Sequence, residues 1–235
     1  MSAEERSPRN LLTSLILVFP LFLIYQIGVL FTLPMLNGAD FVTTLLFESL
    51  GLTLKGYLLF LSSVVALFAI TLAVLKHKQH FNGRVLLPVL LESIIYALTM
   101  GSLIVLVMTK VLGFTPSLSL ALPQQGLVPR LVMSLGAGVY EETVFRLGLL
   151  GGIVVVCEKL VRMSHWSALL GAFIVSSAIF SIVHYIPPYG DAFNLTSFTF
   201  RLLAGIVFGL LFKLRGFAVA VYTHAFYDVF VLVIR

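Results

Sequence analysis

Apolar positions in this chain come in long runs, and polar ones gather in the short stretches between them. A run near ~20 residues is what an α-helix needs to cross the hydrocarbon core of a bilayer. Seven runs fit that pattern: Leu11–Leu33, Leu54–Leu75, Val85–Thr109, Leu127–Val156, Trp166–Ile186, Phe198–Phe212 and Phe217–Ile234. The segment Asp40–Leu50, which carries Glu48, reads as a short helix lying on the surface. The pattern leaves no room for a soluble domain or a long linker, and it holds no internal repeat. It predicts an all-α fold: one integral membrane domain over residues 1–235, built as a polytopic transmembrane bundle of about seven or eight helices.

Composition strengthens this reading. The 235 residues are 60% hydrophobic and only 11% charged, with a mean hydropathy of +1.09. A soluble domain keeps roughly 25% of its residues charged, so a lipid-facing surface is the physical explanation. The net charge of +5 is not a nucleic-acid signal, because the basic residues sit in short connections and form no stripe on a polar helix. Arg6 and Arg9, then Lys76, Lys78 and Arg84, then Lys159 and Arg162, then Lys213 and Arg215 mark alternate connections. The intervening ones hold Lys55, then Lys110 and Arg130, then none before Arg201. Lys and Arg favour the cytoplasmic side, so the N-terminus is expected in the cytoplasm and the C-terminus outside. The polar Met1–Asn10 precedes an apolar run too long for a signal peptide, which predicts a retained first span. Cys157 is alone and offers neither an internal disulfide nor a thiolate metal site. The compact size and the lack of a readable eukaryotic targeting motif fit a bacterial inner (plasma) membrane.

Charged side chains inside such spans are the informative exceptions. Each costs about 2.5–3.5 kcal/mol at the bilayer centre on insertion scales, which makes it a functional-site hypothesis. The fourth run contains Tyr140-Glu141-Glu142-Thr143-Val144-Phe145-Arg146, the fifth ends in Phe180-Ser181-Ile182-Val183-His184, and the seventh contains His224-Ala225-Phe226-Tyr227-Asp228. Glu142 and Arg146 are four residues apart on one helix face and can pair. Glu141 is turned about 100° away, which leaves it free for chemistry. His224 and Asp228 also share a face. Gly136 and Gly138 beside the glutamates, and Gly205 with Gly209 in the sixth run, allow close helix approach. Glu92 lies near the loop at Arg84 and is set aside as a residue reaching the interface.

A carboxylate with a histidine can activate water and later return the proton to a leaving amine. A second histidine can donate to the oxyanion. Two histidines and a carboxylate are also a catalytic zinc set, although no His-Glu-x-x-His helix is present. Two other classes compete: a membrane-embedded scaffold or binding protein without turnover, and a transporter with a proton relay. A transporter favours paired broken helices in matching halves, and the chain has no such symmetry.

From Gly136 to Asp228, the order Glu-Glu-x-x-x-Arg, Phe-x-x-x-His, His-x-x-x-Asp resembles the CPBP family of CAAX proteases and bacteriocin-processing enzymes. The resemblance implies a family-like core over residues 127–235. It implies Glu141 as the general base, His184 as the residue that holds and polarises the water, and His224 with Asp228 as the oxyanion stabilisers. Glu142 and Arg146 support the site. It implies a glutamate-dependent endopeptidase with no required cofactor, zinc being the alternative, acting on a peptide or membrane-protein substrate within the lipid bilayer. Nucleic acid has no place in it. Two positions depart from the family pattern. Leu147 stands where Gly often follows the Arg, and Asp228 stands where a CAAX endopeptidase typically has Asn. An ionised Asp cannot donate a hydrogen bond.

Counting ~1.5 Å per residue from the cytoplasmic ends puts Glu141 and His184 at similar depth but His224 roughly 15 Å nearer the cytoplasm. A short sixth span, ending within the bilayer, would bring it closer. The Pro187-Pro188 break after His184 is expected to ease entry of an extended substrate.

Overall fold

A computed structural model describes residues 10–32, 39–44, 53–114, 126–186 and 190–234. All regular structure among them is helical. The elements are α1 (Leu11–Thr32), α2 (Phe41–Thr44), α3 (Leu54–Leu75), α4 (Leu86–Lys110, entered through a tight turn at Gly83–Val85), α5 (Leu127–Gly136), α6 (Gly151–Lys159), α7 (His165–Val183), α8 (Leu195–Arg215) and α9 (Phe217–Val229). Two π-helical stretches, Ala137–Glu141 and Thr143–Leu150, lie between α5 and α6, and a third, Phe230–Ile234, extends α9.

Among the described residues, six helices are long and apolar enough to cross a membrane: Leu11–Thr32, Leu54–Leu75, Gly83–Lys110, His165–Val183, Leu195–Arg215 and Phe217–Ile234. Together they make the protein an integral membrane helical bundle. The fourth expected run, Leu127–Val156, differs. It is a continuous helical path from Leu127 to Lys159, but its winding loosens from α to π around Glu141 and Glu142 and tightens again at Gly151. Single π turns of this kind interrupt α-helices often at functional sites.

The sixth span corrects the expectation of a short helix. It runs over 21 residues, Leu195–Arg215, because helix ends follow caps and not the limits of the apolar run. Asn194 accepts from the backbone N–H groups of Thr196 and Ser197 at 2.9 and 3.1 Å, satisfying two otherwise unpaired donors. Gly216, at φ +100°, turns the chain directly from α8 into α9, a conformation that favours glycine. The expected surface helix over Asp40–Leu50 is described only as far as Thr44. There it is not on a surface: Asp40 and Thr43 are both buried, and the Thr43 backbone N–H donates to the Asp40 carboxylate at 3.1 Å. Glu48, the Pro187-Pro188 pair, Arg6 and Arg9 lie outside the described residues.

α9 is the centre of the bundle. Every residue from Phe217 to Ala225 is buried, packed by α1, α4, α5, α8 and the π stretch Ala137–Glu141. Gly138 makes this possible, since a Cβ there would sit 2.7 Å from the Val221 carbonyl oxygen. A second apolar cluster joins Met100, Ile104 and Met108 of α4 to Phe208 of α8 and Ala220 of α9. Outward-facing side chains such as Leu59, Leu67, Ile95 and Leu170 are apolar and exposed, as lipid contact requires. α3 is peripheral. Tyr57 is its buried residue, and Phe68 stacks on Phe19 of α1 with ring centroids 4.1 Å apart.

Candidate active site

The six side chains singled out in the sequence converge. Glu141 Oε2 lies 3.9 Å from His184 Nε2 and 3.9 Å from His224 Nε2. Glu142 turns the other way. One of its oxygens accepts from His224 Nδ1 at 2.7 Å, and the other lies 3.1 Å from Arg146 Nε. Asp228 Oδ2 is 3.8 Å from His224 Nε2. Three separate helices supply these groups: the π-wound segment, the C-terminal end of α7 and the middle of α9.

The partners fix which ring nitrogens carry hydrogen. A guanidinium is always charged, so the Glu142 carboxylate beside it only accepts. His224 therefore donates from Nδ1 and presents Nε2 to Glu141 and Asp228. His184 places Nδ1 2.7 Å from the Phe180 carbonyl oxygen, which also only accepts. His184 thus keeps its hydrogen on Nδ1 and presents Nε2 to Glu141. Both reactive nitrogens face the same carboxylate oxygen.

The support is sealed from solvent. Glu142 is 0% and Arg146 1% exposed. Phe180 and Phe208 cover the guanidinium, with centroids 4.4 and 5.2 Å from its carbon, a cation–π arrangement that strengthens when desolvated. Phe208 also stacks on the His224 ring at 4.3 Å and 18°. Nη2 of Arg146 reaches the Gly205 carbonyl at 3.4 Å. Burying an ion pair is costly unless its geometry is good and its remaining hydrogen bonds are met; here one Glu142 oxygen accepts from His224 and the other faces Arg146 Nε, while Arg146 Nη1 has no hydrogen-bond partner among the described residues.

The depth mismatch from residue counting disappears, since His224 and Glu141 are neighbours. The count assumed that every span starts at one level, whereas α9 starts straight from the Gly216 turn at the end of α8 and packs against the Ala137–Glu141 stretch. Glu92 is tied elsewhere: Arg215 donates to its Oε2 from Nε and Nη2 at 3.0 and 2.7 Å, linking α4 to the end of α8.

Sequence reasoning missed two features. Phe208 lies in an apolar run and gives no signal of its contact with both Arg146 and His224. A buried polar network was also missed. The Tyr57 hydroxyl reaches the Gln26 carbonyl at 3.0 Å and the Gln26 side-chain oxygen, and the Gln26 amide donates to the Tyr140 hydroxyl. It anchors the residue before Glu141 to α1 and α3. Uncharged polar residues within the apolar runs were its signal, overlooked because only ionisable groups were weighed. Among the described residues, no three His, Cys, Asp or Glu side chains are grouped so as to hold a metal ion.

Comparison with known proteins adds a family. Residues 123–230 match the family model described as type II CAAX prenyl endopeptidase Rce1-like. No curated protein and no solved structure matches the chain. The matched segment contains all six converging residues, each in the order that the CPBP resemblance requires. Residues 123–230 are therefore similar to type II CAAX prenyl endopeptidase Rce1-like domains, a likeness consistent with the CPBP family.

Proposed function

We propose that the protein hydrolyses a peptide bond inside the membrane with a water activated between Glu141 and His184. The observation that carries this reading is the convergence of two imidazole Nε2 atoms on one Glu141 oxygen, each at 3.9 Å. That spacing is too long for a direct hydrogen bond and short enough for one water to touch both partners at ~2.8 Å. Glu141 and the unprotonated His184 Nε2 each accept one O–H of the water and aim its lone pair at the substrate carbonyl. As the oxygen attacks, its proton passes to Glu141. When the C–N bond breaks, Glu141 returns that proton to the leaving amine.

The oxyanion needs donors. His224, held through Nδ1 by Glu142, donates from Nε2 when it carries a second proton, and the Glu142 carboxylate stabilises that imidazolium. Because Glu142 already orients His224 through Nδ1, Asp228 is not needed to hold that ring. Asp228, 3.8 Å from Nε2, is assigned as a protonated second donor. Asp228→Asn keeps a donor and should stay within about tenfold of the parent kcat, whereas Asp228→Ala should lose about 10²–10³. Equal loss in both folded variants refutes the donor role.

We assign no metal to the reaction; the alternative is zinc, which would need His184, His224 and a carboxylate to draw together from their present arrangement. Support for the metal-free reading comes from the family resemblance. The purified protein in lipid nanodiscs should keep its cleavage activity through strong chelation and dialysis. Loss with rescue by zinc would overturn that assignment. The substrate class is an apolar peptide or transmembrane segment reached from the bilayer.

A further inference from the structure

The chain after His184 folds back tightly. A Cβ on Gly190 would lie 2.4 Å from the Tyr185 carbonyl carbon, and the Asp191 backbone N–H donates to the His184 carbonyl at 2.8 Å. This return places the Asp191 carboxylate against Arg201 of α8, with Nη2 to Oδ2 at 2.5 Å. The Arg201 guanidinium also lies over the Tyr185 ring, 5.2 Å from its centroid.

Two donors at this place are unused. Arg201 Nη1 and the Tyr185 hydroxyl are buried atoms with no hydrogen-bond partner among the described residues. A buried donor without an acceptor costs about 1–3 kcal/mol, and such a group calls for an explanation such as a ligand. Tyr185 follows His184 directly in the chain, and the His184 and Arg201 side chains are 27% and 24% exposed. Arg146 also has an unpartnered Nη1, but it is 1% exposed beneath Phe180 and Phe208 and ion-paired with Glu142, which keeps it from a substrate. Charge points the same way. The Glu141 carboxylate faces the reacting centre, so an anionic part of a substrate is repelled there and has a cation at Arg201. The Asp191 pairing engages one nitrogen of the fork and leaves the other available.

We infer that Arg201 and Tyr185 form a subsite beside His184 that binds a carboxylate of the peptide substrate. This rests on the endopeptidase reading above. The carboxylate belongs either to the peptide's C-terminus or to an Asp or Glu side chain. Nη1 and the Tyr185 hydroxyl would each donate to it, and the substrate's orientation across Glu141 would follow.

The test uses the full chain in nanodiscs and pools of apolar ten-residue peptides in three forms. One has a free C-terminal carboxylate, one a C-terminal amide, and one a C-terminal amide with a single internal Glu. Cleavage is read by mass spectrometry as relative kcat/KM. Wild type should prefer one carboxylate-bearing pool over the plain amide pool by about tenfold, the scale of a charge-assisted contact, and the preferred pool identifies the source. In Arg201→Gln the ratio should fall to within about twofold, with Arg201→Lys intermediate and the effect lying in KM. Tyr185→Phe, which removes only a hydroxyl, should reduce the ratio several-fold and guards against a folding defect at Arg201. A wild type that cleaves all three pools equally overturns the subsite alone. So does a preference that survives Arg201→Gln and Tyr185→Phe. A wild type that cleaves no pool overturns the endopeptidase reading and the subsite with it.

Discussion

Replacing Glu141 by Gln should lower kcat by about 10²–10⁴, the usual contribution of a positioned general base, with little change in folding. The side chains have the same shape, and the amide oxygen still faces His184 and His224. The amide cannot take a proton from water or return one to an amine. The buried ion pair of Glu142 and Arg146 is untouched, so thermal unfolding in nanodiscs should shift little. Single-turnover cleavage separates chemistry from binding: substrate association should persist while the bond stays intact. A Glu141→Gln protein as active as its parent would falsify the assignment of the base. A parent with no turnover, binding peptides equally with and without Glu141, would favour a scaffold.

The membrane fold was readable because a bilayer imposes length and hydropathy on each span. Leu54–Leu75 begins and ends where the apolar run does. Where an end is set by a local device, the reading drifted: Asn194 and Gly216 extend α8 at both ends. Pairing within one helix was also readable, since Glu142 and Arg146 are fixed by the four-residue repeat. Between helices, the expense of burying charge and the CPBP-like order of the three motifs hinted that Glu141, His184 and His224 meet. The π winding was illegible. So were the covering role of Phe208 and the fold-back at Gly190 that sets Asp191 on Arg201, for each depends on residues distant in sequence.

The largest stability effect should come from Glu142. Glu142→Ala leaves the Arg146 guanidinium, 1% exposed, without its anion, and breaking a buried pair from one side costs about 3–5 kcal/mol. It also removes the acceptor of His224 Nδ1, a further loss of ~1–3 kcal/mol if that donor stays dry. Thermal unfolding should therefore fall steeply. Glu142→Gln, which keeps an acceptor but no charge, should fall less. The double variant Glu142→Leu with Arg146→Leu removes both charges together, and replacing a whole buried pair by apolar groups is often neutral or stabilising. It should unfold near the parent temperature, yet remain slow, because nothing then holds the hydrogen on Nδ1 of His224 or turns Nε2 toward Glu141. Recovery of stability together with full kcat would show that Glu142 serves packing alone. Recovery of stability with kcat still depressed separates its two tasks, balancing a buried cation and orienting the histidine that faces the reacting carbonyl.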